Sequence, residues 1–191
     1  MVDAPDVLGP ERVAQGDAVL CIASSGLHSN GFSLVRRVVE HAGLSLEEEV
    51  PEFGRTLGEE LLEPTRIYAR DCLALAAETQ VRTFCHVTGG GLVGNMERII
   101  PEGKVAEMNR ATWSPSPIFR FIQSVGEVAQ EEMEKTFNMG VGMIAVVNPE
   151  DRDRALAKLT ARHIDAWELG TVRSASGEEP RVVMHGEHPN F

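Results

Sequence analysis

The sequence feature that most constrains the fold is a pattern that occurs twice: an apolar run, a loop of small residues, and then an amphipathic segment. "AVLCIA" (18–23) precedes the loop "SSGLHSNG" (24–31), and "VRTFCHV" (81–87) precedes "TGGG" (88–91). Short apolar runs bounded by small residues are typical of buried strands, so both places predict a strand–loop–helix unit. Each ordered glycine costs roughly 0.5–1 kcal/mol of chain entropy relative to alanine. Three in a row therefore indicate positive φ angles or a close backbone approach.

The remaining pattern predicts one α+β domain with a mixed sheet covered by helices. Helices are predicted from Phe32 to Gly43, from Pro64, over 92–100, from an N-cap at Ser116, over 127–137 and from Asn148. Strands are predicted over 17–24, 81–87, 104–109 and 138–147, with 165–172 and 181–185 forming a closing hairpin. The acidic, proline- and glycine-broken stretch 45–60 is predicted to be a surface loop.

The charge balance limits the kinds of partner that this chain is expected to bind. The chain has 191 residues, 29 acidic and 18 basic, with a net charge of −11. Nucleic acid and anionic membranes would be repelled on average, so neither is expected as a partner. An anionic ligand would have to be bound locally, by backbone N–H groups, helix N-termini or a few arginines.

Targeting and metal signals are weak. No apolar run approaches the roughly 20 residues of a membrane helix, and the first residues do not read as a signal peptide, so a cytoplasmic location is expected. The three cysteines lack a C-x-x-C spacing and are expected to be reduced. The six histidines form no zinc motif, and no metal ligands are predicted.

The glycine loops allow two interpretations that the residues alone leave open. They are either tight strand-to-helix turns packed against neighbours or anion-binding loops that present N–H groups. Neither a P-loop nor a dinucleotide-binding fingerprint is present. His28 and His86 lie in these loops and could be structural, could bind phosphate as imidazolium, or could transfer protons. Arg66 and Tyr68, expected at a helix start, could add a charged donor and a hydroxyl, or could be a surface and a core residue.

Five segments taken together resemble one family. They are "GDAVLCIASSGLHSNGFSLVRR", "LLEPTRIYAR", "HVTGGGLVGNMERIIPEG", "EEMEKTFNMGVGMIAVV" and "AWELGTV…RVVM". In this order they resemble the C-terminal domain of aminoimidazole ribonucleotide synthetase, the phosphoribosylformylglycinamidine cyclo-ligase of purine biosynthesis. Looser resemblances are to formylglycinamidine ribonucleotide synthetase, thiamine-monophosphate kinase, selenophosphate synthetase and hydrogenase maturation proteins. A non-catalytic module that binds a phosphorylated metabolite is the alternative from another class.

The resemblance implies a fold and a reaction. The fold is a three-layer α/β/α domain with a mixed, partly ferredoxin-like sheet. The reaction uses ATP and Mg²⁺, held mainly by an N-terminal domain, to close formylglycinamidine ribonucleotide to aminoimidazole ribonucleotide, with ADP and phosphate as the other products. The full enzyme would be a homodimer of two-domain chains. Residues 1–16 would be a linker from that N-terminal domain, 17–185 the domain itself and 186–191 a tail, and the piece alone would be inactive.

The resemblance also implies site residues. His86 and then His28 are the candidates for a role near the chemistry. Substrate or phosphate contacts are expected from Ser24, Ser25, Gly26, Ser29, Asn30, Gly31, Arg66, Tyr68, Thr88, Gly89, Gly90, Gly91, Asn95, Asn138, Gly140 and Gly142.

Overall fold

The computed structural model describes residues 7–191, so part of the predicted linker, residues 1–6, lies outside the described residues. The helices are α1 (Phe32–His41), α2 (Leu57–Leu61), α3 (Ala69–Glu78), α4 (Gly91–Met96), α5 (Pro117–Val125), α6 (Gln130–Thr136) and α7 (Arg152–Ala161). The strands are β1 (Ala18–Ala23), β2 (Glu49–Val50), β3 (Arg55–Thr56), β4 (Val81–His86), β5 (Lys104–Asn109), β6 (Val141–Val147), β7 (Ala166–Ser174) and β8 (Val182–His185).

Six of these strands form one mixed sheet in the order β4-β6-β1-β7-β5-β8. Every neighbouring pair is antiparallel except β5 and β8, which are parallel. The four strands β1, β4, β6 and β7, with α3 after β1 and α7 after β6, have the chain order and sheet order of a ferredoxin-like unit. The predicted partly ferredoxin-like, mixed sheet is therefore confirmed.

Helices cover both faces of the sheet. On one face, α3 and α7 bury Leu75 and Leu159 against alternate strand residues such as Leu20 and Ala145. On the other face, Leu92 and Met96 of α4 pack with the residues of opposite parity, because successive strand side chains point to opposite faces. This arrangement gives the expected α/β/α layers. Beside them, α1, α5 and α6 enclose a separate apolar cluster that contains Phe119 and Phe137.

The predicted closing hairpin is wrong. Strands β7 and β8 are both present, but β5 lies between them and pairs with each. The backbone approach of β5 to β7 is close: a Cβ at Gly170 would overlap the carbonyl oxygen of Glu107. A turn between two strands shows only that the chain reverses direction. Here the chain that follows β7 pairs beyond β5, so that β8 becomes the edge strand of the sheet.

Two local predictions also need correction. Pro64 does not begin a helix: α3 begins at Ala69, and Pro64–Tyr68 is irregular. The stretch 45–60 contains the small hairpin β2–β3 and the start of α2, which begins with a capping box between Thr56 and Glu59. The predicted N-cap of α5 at Ser116 is confirmed, although its side chain makes no capping hydrogen bond.

Candidate functional site

The first loop, 24–31, is fastened to the loop before β6 by the buried side chain of Asn138. Its Nδ2 donates to the carbonyl oxygens of Gly26 (2.9 Å) and Leu27 (3.2 Å). Its Oδ1 accepts from Ser24 Oγ (3.0 Å) and from the N–H of Gly140 (2.8 Å). One amide thus satisfies four polar groups, and loops more than 100 residues apart in the chain become one unit.

His28 is the buried centre of this loop. It is 6% exposed and has a φ of 60°, a left-handed conformation that is uncommon for a non-glycine residue. Its Nε2 accepts the N–H of Ser25 at 3.2 Å. The proton of the neutral ring is therefore on Nδ1, which is buried and has no hydrogen-bond partner among the described residues. Burial, with smaller contributions from the charges of His86 and Arg66, lowers the pKa of His28 to about 4.

This pKa describes the state of the ring in the protein without ligand. Near neutral pH the His28 ring is neutral here, so binding phosphate as an imidazolium, which stays a prediction, would require protonation of a buried ring. Nδ1 carries the proton of this neutral ring and is a buried N–H without a hydrogen-bond partner within residues 7–191.

Tyr68 and His86 complete a group of three rings around His28. The ring centroids are 6.1 Å apart for His28 and Tyr68, 6.2 Å for the two histidines, and 5.9 Å for Tyr68 and His86. Tyr68 is buried and its hydroxyl donates to the carbonyl oxygen of Ala23 at 2.9 Å. Burial raises the pKa of Tyr68, so the hydroxyl stays protonated. His86, at the end of β4, is exposed.

Gly142 makes room for this ring group. A Cβ at this position would overlap the Tyr68 hydroxyl and would lie 2.8 Å from Cε1 of His28. Gly142 belongs to β6 and lies at the irregularity in its pairing with β1, and its carbonyl oxygen accepts the N–H of Val87 at 2.9 Å. Gly142 thus contributes by leaving space for the rings.

The segment Pro64–Tyr68 forms one side of the first loop. Ser25 Oγ donates to the carbonyl oxygen of Pro64 at 2.6 Å, and the hydroxyls of Ser29 and Thr65 are 3.4 Å apart. Arg66 is half-buried, and its charge is close enough to affect the pKa of both His28 and Tyr68. Arg66 and Tyr68 therefore reach the site from an irregular segment and not from a helix start.

The second loop contains glycines of two kinds. Gly91 is buried with a φ of 65°, and a Cβ there would overlap the carbonyl oxygen of Glu134 in α6. Gly89 and Gly90 are exposed. A Cβ on Gly89 would meet only Oδ1 of Asn30, at 3.5 Å, and one on Gly90 only the Asn95 amide nitrogen, at 4.0 Å. Packing explains Gly91, whereas Gly89 and Gly90 leave the loop surface bare beside the first loop.

Asn95 holds the second loop from inside. The buried side chain donates to the carbonyl oxygens of Gly91 (2.7 Å), Thr88 (3.2 Å) and Gly89 (3.3 Å), and accepts from Thr88 Oγ1 at 3.1 Å. It plays for this loop the part that Asn138 plays for the first.

The sequence-predicted residues therefore fall into two groups. Those that hold the loops, by buried hydrogen bonds or close packing, are Ser24, Gly31, Thr88, Gly91, Asn95, Asn138, Gly140 and Gly142. Those around the rings and the bare surface are Ser25, Gly26, His28, Ser29, Asn30, Arg66, Tyr68, His86, Gly89 and Gly90. Direct ligand contact remains a prediction for all of them.

Sequence reasoning passed over Thr65, Trp113 and Met139. Thr65 faces Ser29, and Trp113 Nε1 donates to the carbonyl oxygen of Met139 at 2.8 Å, next to Asn138. Thr65 lies within the quoted "PTRIYAR", so it could have been found; the long-range contact of Trp113 has no sequence signal.

Residues 7–191 also show what they offer to metals and membranes. No group of three or more His, Cys, Asp or Glu side chains in this part of the chain could hold a metal ion. None of its helices combines the length and apolar character that a bilayer crossing requires.

Residues 14–183 match the family model described as AIR synthase related protein, C-terminal domain. The chain belongs to this family. A Streptomyces fradiae protein, named provisionally as a phosphoribosylformylglycinamidine cyclo-ligase, is 58% identical over 174 residues, 90% of this chain and 96% of that protein. The phosphoribosylformylglycinamidine cyclo-ligase of Burkholderia ambifaria strain AMMD is 44% identical over 184 residues. That alignment covers 96% of this chain but 52% of the relative, so the chain spans about half of that relative's length.

Solved structures support the AIR synthase-like fold. A thiamine-monophosphate kinase from Stenotrophomonas maltophilia K279a superposes with a TM-score of 0.67 at 16% identity, covering 98% of this chain and 56% of that one. At this identity the match shows the fold alone. The sequence relatives, and not the structural neighbour, favour the cyclo-ligase over the kinase that the sequence left as an alternative.

Proposed function

We propose that this chain is the substrate-binding half of a phosphoribosylformylglycinamidine cyclo-ligase. The observation on which this rests is the convergence of the two glycine loops and the segment Pro64–Tyr68 on the rings of His28, Tyr68 and His86. The names of relatives at 58% and 44% identity identify the reaction class. The activity is named for longer relatives, and we assign to this chain the part of it that belongs to the half it matches.

In the proposed reaction, the formyl amide oxygen of formylglycinamidine ribonucleotide attacks the γ-phosphorus of ATP, and ADP leaves. An amidine nitrogen then attacks the activated carbon, its C–N bond closes the ring, and the C–O bond to phosphate breaks. The products are aminoimidazole ribonucleotide, ADP, phosphate and a proton. Positioning and charge neutralisation are the main demands of phosphoryl transfer.

The residues of this chain meet those demands in specific ways. Bare backbone at Gly89 and Gly90 lets a phosphate approach the main chain, which the net charge of −11 makes necessary. Neutral His28 adds no charge, and its Nε2 holds the first loop by accepting the N–H of Ser25. His86, exposed at the end of β4, accepts or releases the proton of the attacking nitrogen. Tyr68 holds both rings through their mutual packing.

ATP and Mg²⁺ are assigned mainly to the other half of the enzyme. The described residues offer no cluster of three or more metal-ligating side chains. An ATP-binding N-terminal domain is the proposed partner, within a homodimer in the cytoplasm. Residues 1–16 are proposed as the linker to such a domain, and the chain alone is proposed to be inactive.

The test is ring closure by a reconstituted pair. The chain would be combined with the unmatched half of the Burkholderia ambifaria relative, and complex formation would be verified before the assay. With ATP, Mg²⁺ and formylglycinamidine ribonucleotide, we expect aminoimidazole ribonucleotide and ADP in equal amounts, and no product from either half alone. A verified complex that makes no ring-closed product, or that phosphorylates thiamine monophosphate instead, would overturn the proposal.

A further inference from the structure

The carboxy-terminal segment 186–191, which the sequence predicts to be a tail with no secondary-structure pattern, is held against the domain by hydrogen bonds and packing. We call it the strap. Its carbonyl oxygens accept from three side chains: Ser114 Oγ to Pro189 (3.0 Å), Arg120 Nη1 to Asn190 (3.2 Å) and Arg110 Nη1 to Gly186 (3.4 Å). Phe191 packs against the apolar cluster of α1, α5 and α6. The strap thus joins the sheet edge to the helical cluster.

His188 is the most buried part of the strap. Its side chain is 1% exposed and lies edge-to-face on Trp113, with the ring centroids 4.3 Å apart. Phe191 lies on it at 5.6 Å. Nδ1 of His188 is buried and has no hydrogen-bond partner among the described residues. A neutral ring suits these aromatic surroundings, whereas an imidazolium would have to be desolvated there.

The charged groups that face His188 do not offset that cost. Glu134 of α6 lies 3.9 Å from Nε2, beyond hydrogen-bond distance, and its two oxygens accept from Nε and Nη2 of Arg110 at 2.7 and 2.8 Å. The carboxylate and the main chain at Arg110 and Trp113 favour protonation of the ring, whereas the charge of Arg110 opposes it. Burial is the largest effect, and the net result is a lowered pKa of His188.

Trp113 connects the strap to the candidate site. Its Nε1 donates to the carbonyl oxygen of Met139 at 2.8 Å, and it also borders Gly140. Met139 lies between Asn138 and Gly140 and has a φ of 50°, a strained conformation for a residue other than glycine. The next residue back, Asn138, binds the first loop. Loss of the strap would therefore release the indole that holds the loop before β6.

We propose that the strap is a pH-sensitive clasp: neutral His188 latches it onto Trp113, and protonation of His188 frees the strap and loosens residues 138–142. The inference does not depend on the reaction proposed above. Because the ring is harder to protonate in the closed state, the latch is fully effective above the pKa of a free histidine, about 6.5. It weakens as the pH falls below that value towards the lower pKa of the closed state.

The test is hydrogen exchange of the full chain, resolved by peptide, at pH 7.5 and pH 5.0. Comparisons between variants are made at the same pH, because the intrinsic exchange rate itself depends on pH. His188→Phe keeps an aromatic ring on Trp113 without a titrating group. At pH 5.0 we expect peptides covering 186–191 and 138–142 to exchange several-fold faster in the parent than in His188→Phe. At pH 7.5 the difference should vanish or reverse.

Two further variants keep the result interpretable. His188→Gln gives the same comparison if the phenylalanine variant folds poorly, and His185→Gln removes an exposed histidine of β8 and should behave as the parent. Equal exchange of the strap in the parent and both His188 variants at pH 5.0 would overturn the clasp. Faster exchange of the strap with unchanged exchange at 138–142 would overturn its connection to the site.

Discussion

The side-chain amide of Asn138 donates to the carbonyl oxygen of Gly26 at 2.9 Å, across 112 residues of sequence. Both residues lie in loops, and neither is part of the sheet hydrogen bonding. The bond aligns the loop after β1 with the loop before β6, and it does so inside the protein, where an unmade hydrogen bond is costly.

Replacing Asn138 should therefore destabilise the fold and the site together. Asn138→Ala leaves the carbonyl oxygens of Gly26 and Leu27 without their donor, and we expect a loss of about 3 kcal/mol in the free energy of unfolding. Asn30→Ala, in the same loop but partly exposed, should change it by less than about 0.5 kcal/mol. Urea denaturation at pH 7.5 measures both. Similar losses in the two variants would contradict the anchoring role of Asn138.

The glycines of the second loop should separate by function. Gly91→Ala brings a Cβ into the carbonyl of Glu134 at positive φ, so we expect severe destabilisation or no folded protein. Gly89→Ala meets only the Asn30 side chain and should melt within a few degrees of the parent. Thermal denaturation compares them. A Gly91→Ala variant as stable as Gly89→Ala would show that α4 and α6 are not packed as described.

Gly142 should be required for the ring group and not for the strand. A methyl group there must displace the Tyr68 hydroxyl and the His28 ring, and the bond from Tyr68 to Ala23 would be lost. We expect Gly142→Ala to lose about 2 kcal/mol of stability. Gly94→Ala, in α4 with open space at its Cβ, should be neutral or stabilising. Urea denaturation measures both variants. A Gly142→Ala variant with the same denaturation midpoint as the parent would contradict the close packing of Gly142 against Tyr68 and His28.

Acid should destabilise the chain partly through His28. Because its pKa falls from 6.5 to about 4 on folding, the neutral ring contributes stability above pH 6.5 that is lost as the pH falls towards 4. The difference corresponds to at most about 3 kcal/mol. In His28→Asn, asparagine tolerates the positive φ and has no titrating ring. The dependence of the unfolding free energy on pH should therefore be flatter over this range, while the contribution of His188 remains. Urea titrations from pH 7 to pH 4 test it, and an unchanged pH slope would contradict a buried, neutral His28.

The sequence predicted the parts of the fold that depend on local signals. The strand–loop–helix units at 18–41 and 81–96 are correct because apolar runs and glycine loops determine them within a few residues. The pairing of β7 and β8 was wrong because a sheet neighbour is chosen by long-range packing, and β5 occupies the place between them. Pro64 looked like a helix start, but the carbonyl oxygen of Pro64 accepts from Ser25 and the segment follows the first loop instead.

The candidate site was predicted as a set of residues and not as an arrangement. Composition could single out His28 and Gly91, but only the structure shows that one ring keeps an unused donor and that one glycine is required by packing. Asn95 and Asn138 hold loops because each amide lies within reach of several main-chain groups, and their contact with a ligand stays a prediction. A sequence does not show how many main-chain groups lie within reach of one side-chain amide.

The most direct measurement of the central claim, that these loops hold the substrate, is the dissociation constant of formylglycinamidine ribonucleotide for the reconstituted pair. Calorimetry would compare the parent, Gly89→Val and the control Gly94→Ala, each with its melting temperature recorded. We predict that Gly89→Val weakens binding at least roughly tenfold, about 1.4 kcal/mol, without a matching loss of stability, and that Gly94→Ala binds as the parent does. Equal affinity for the parent and Gly89→Val would contradict a substrate site at this surface.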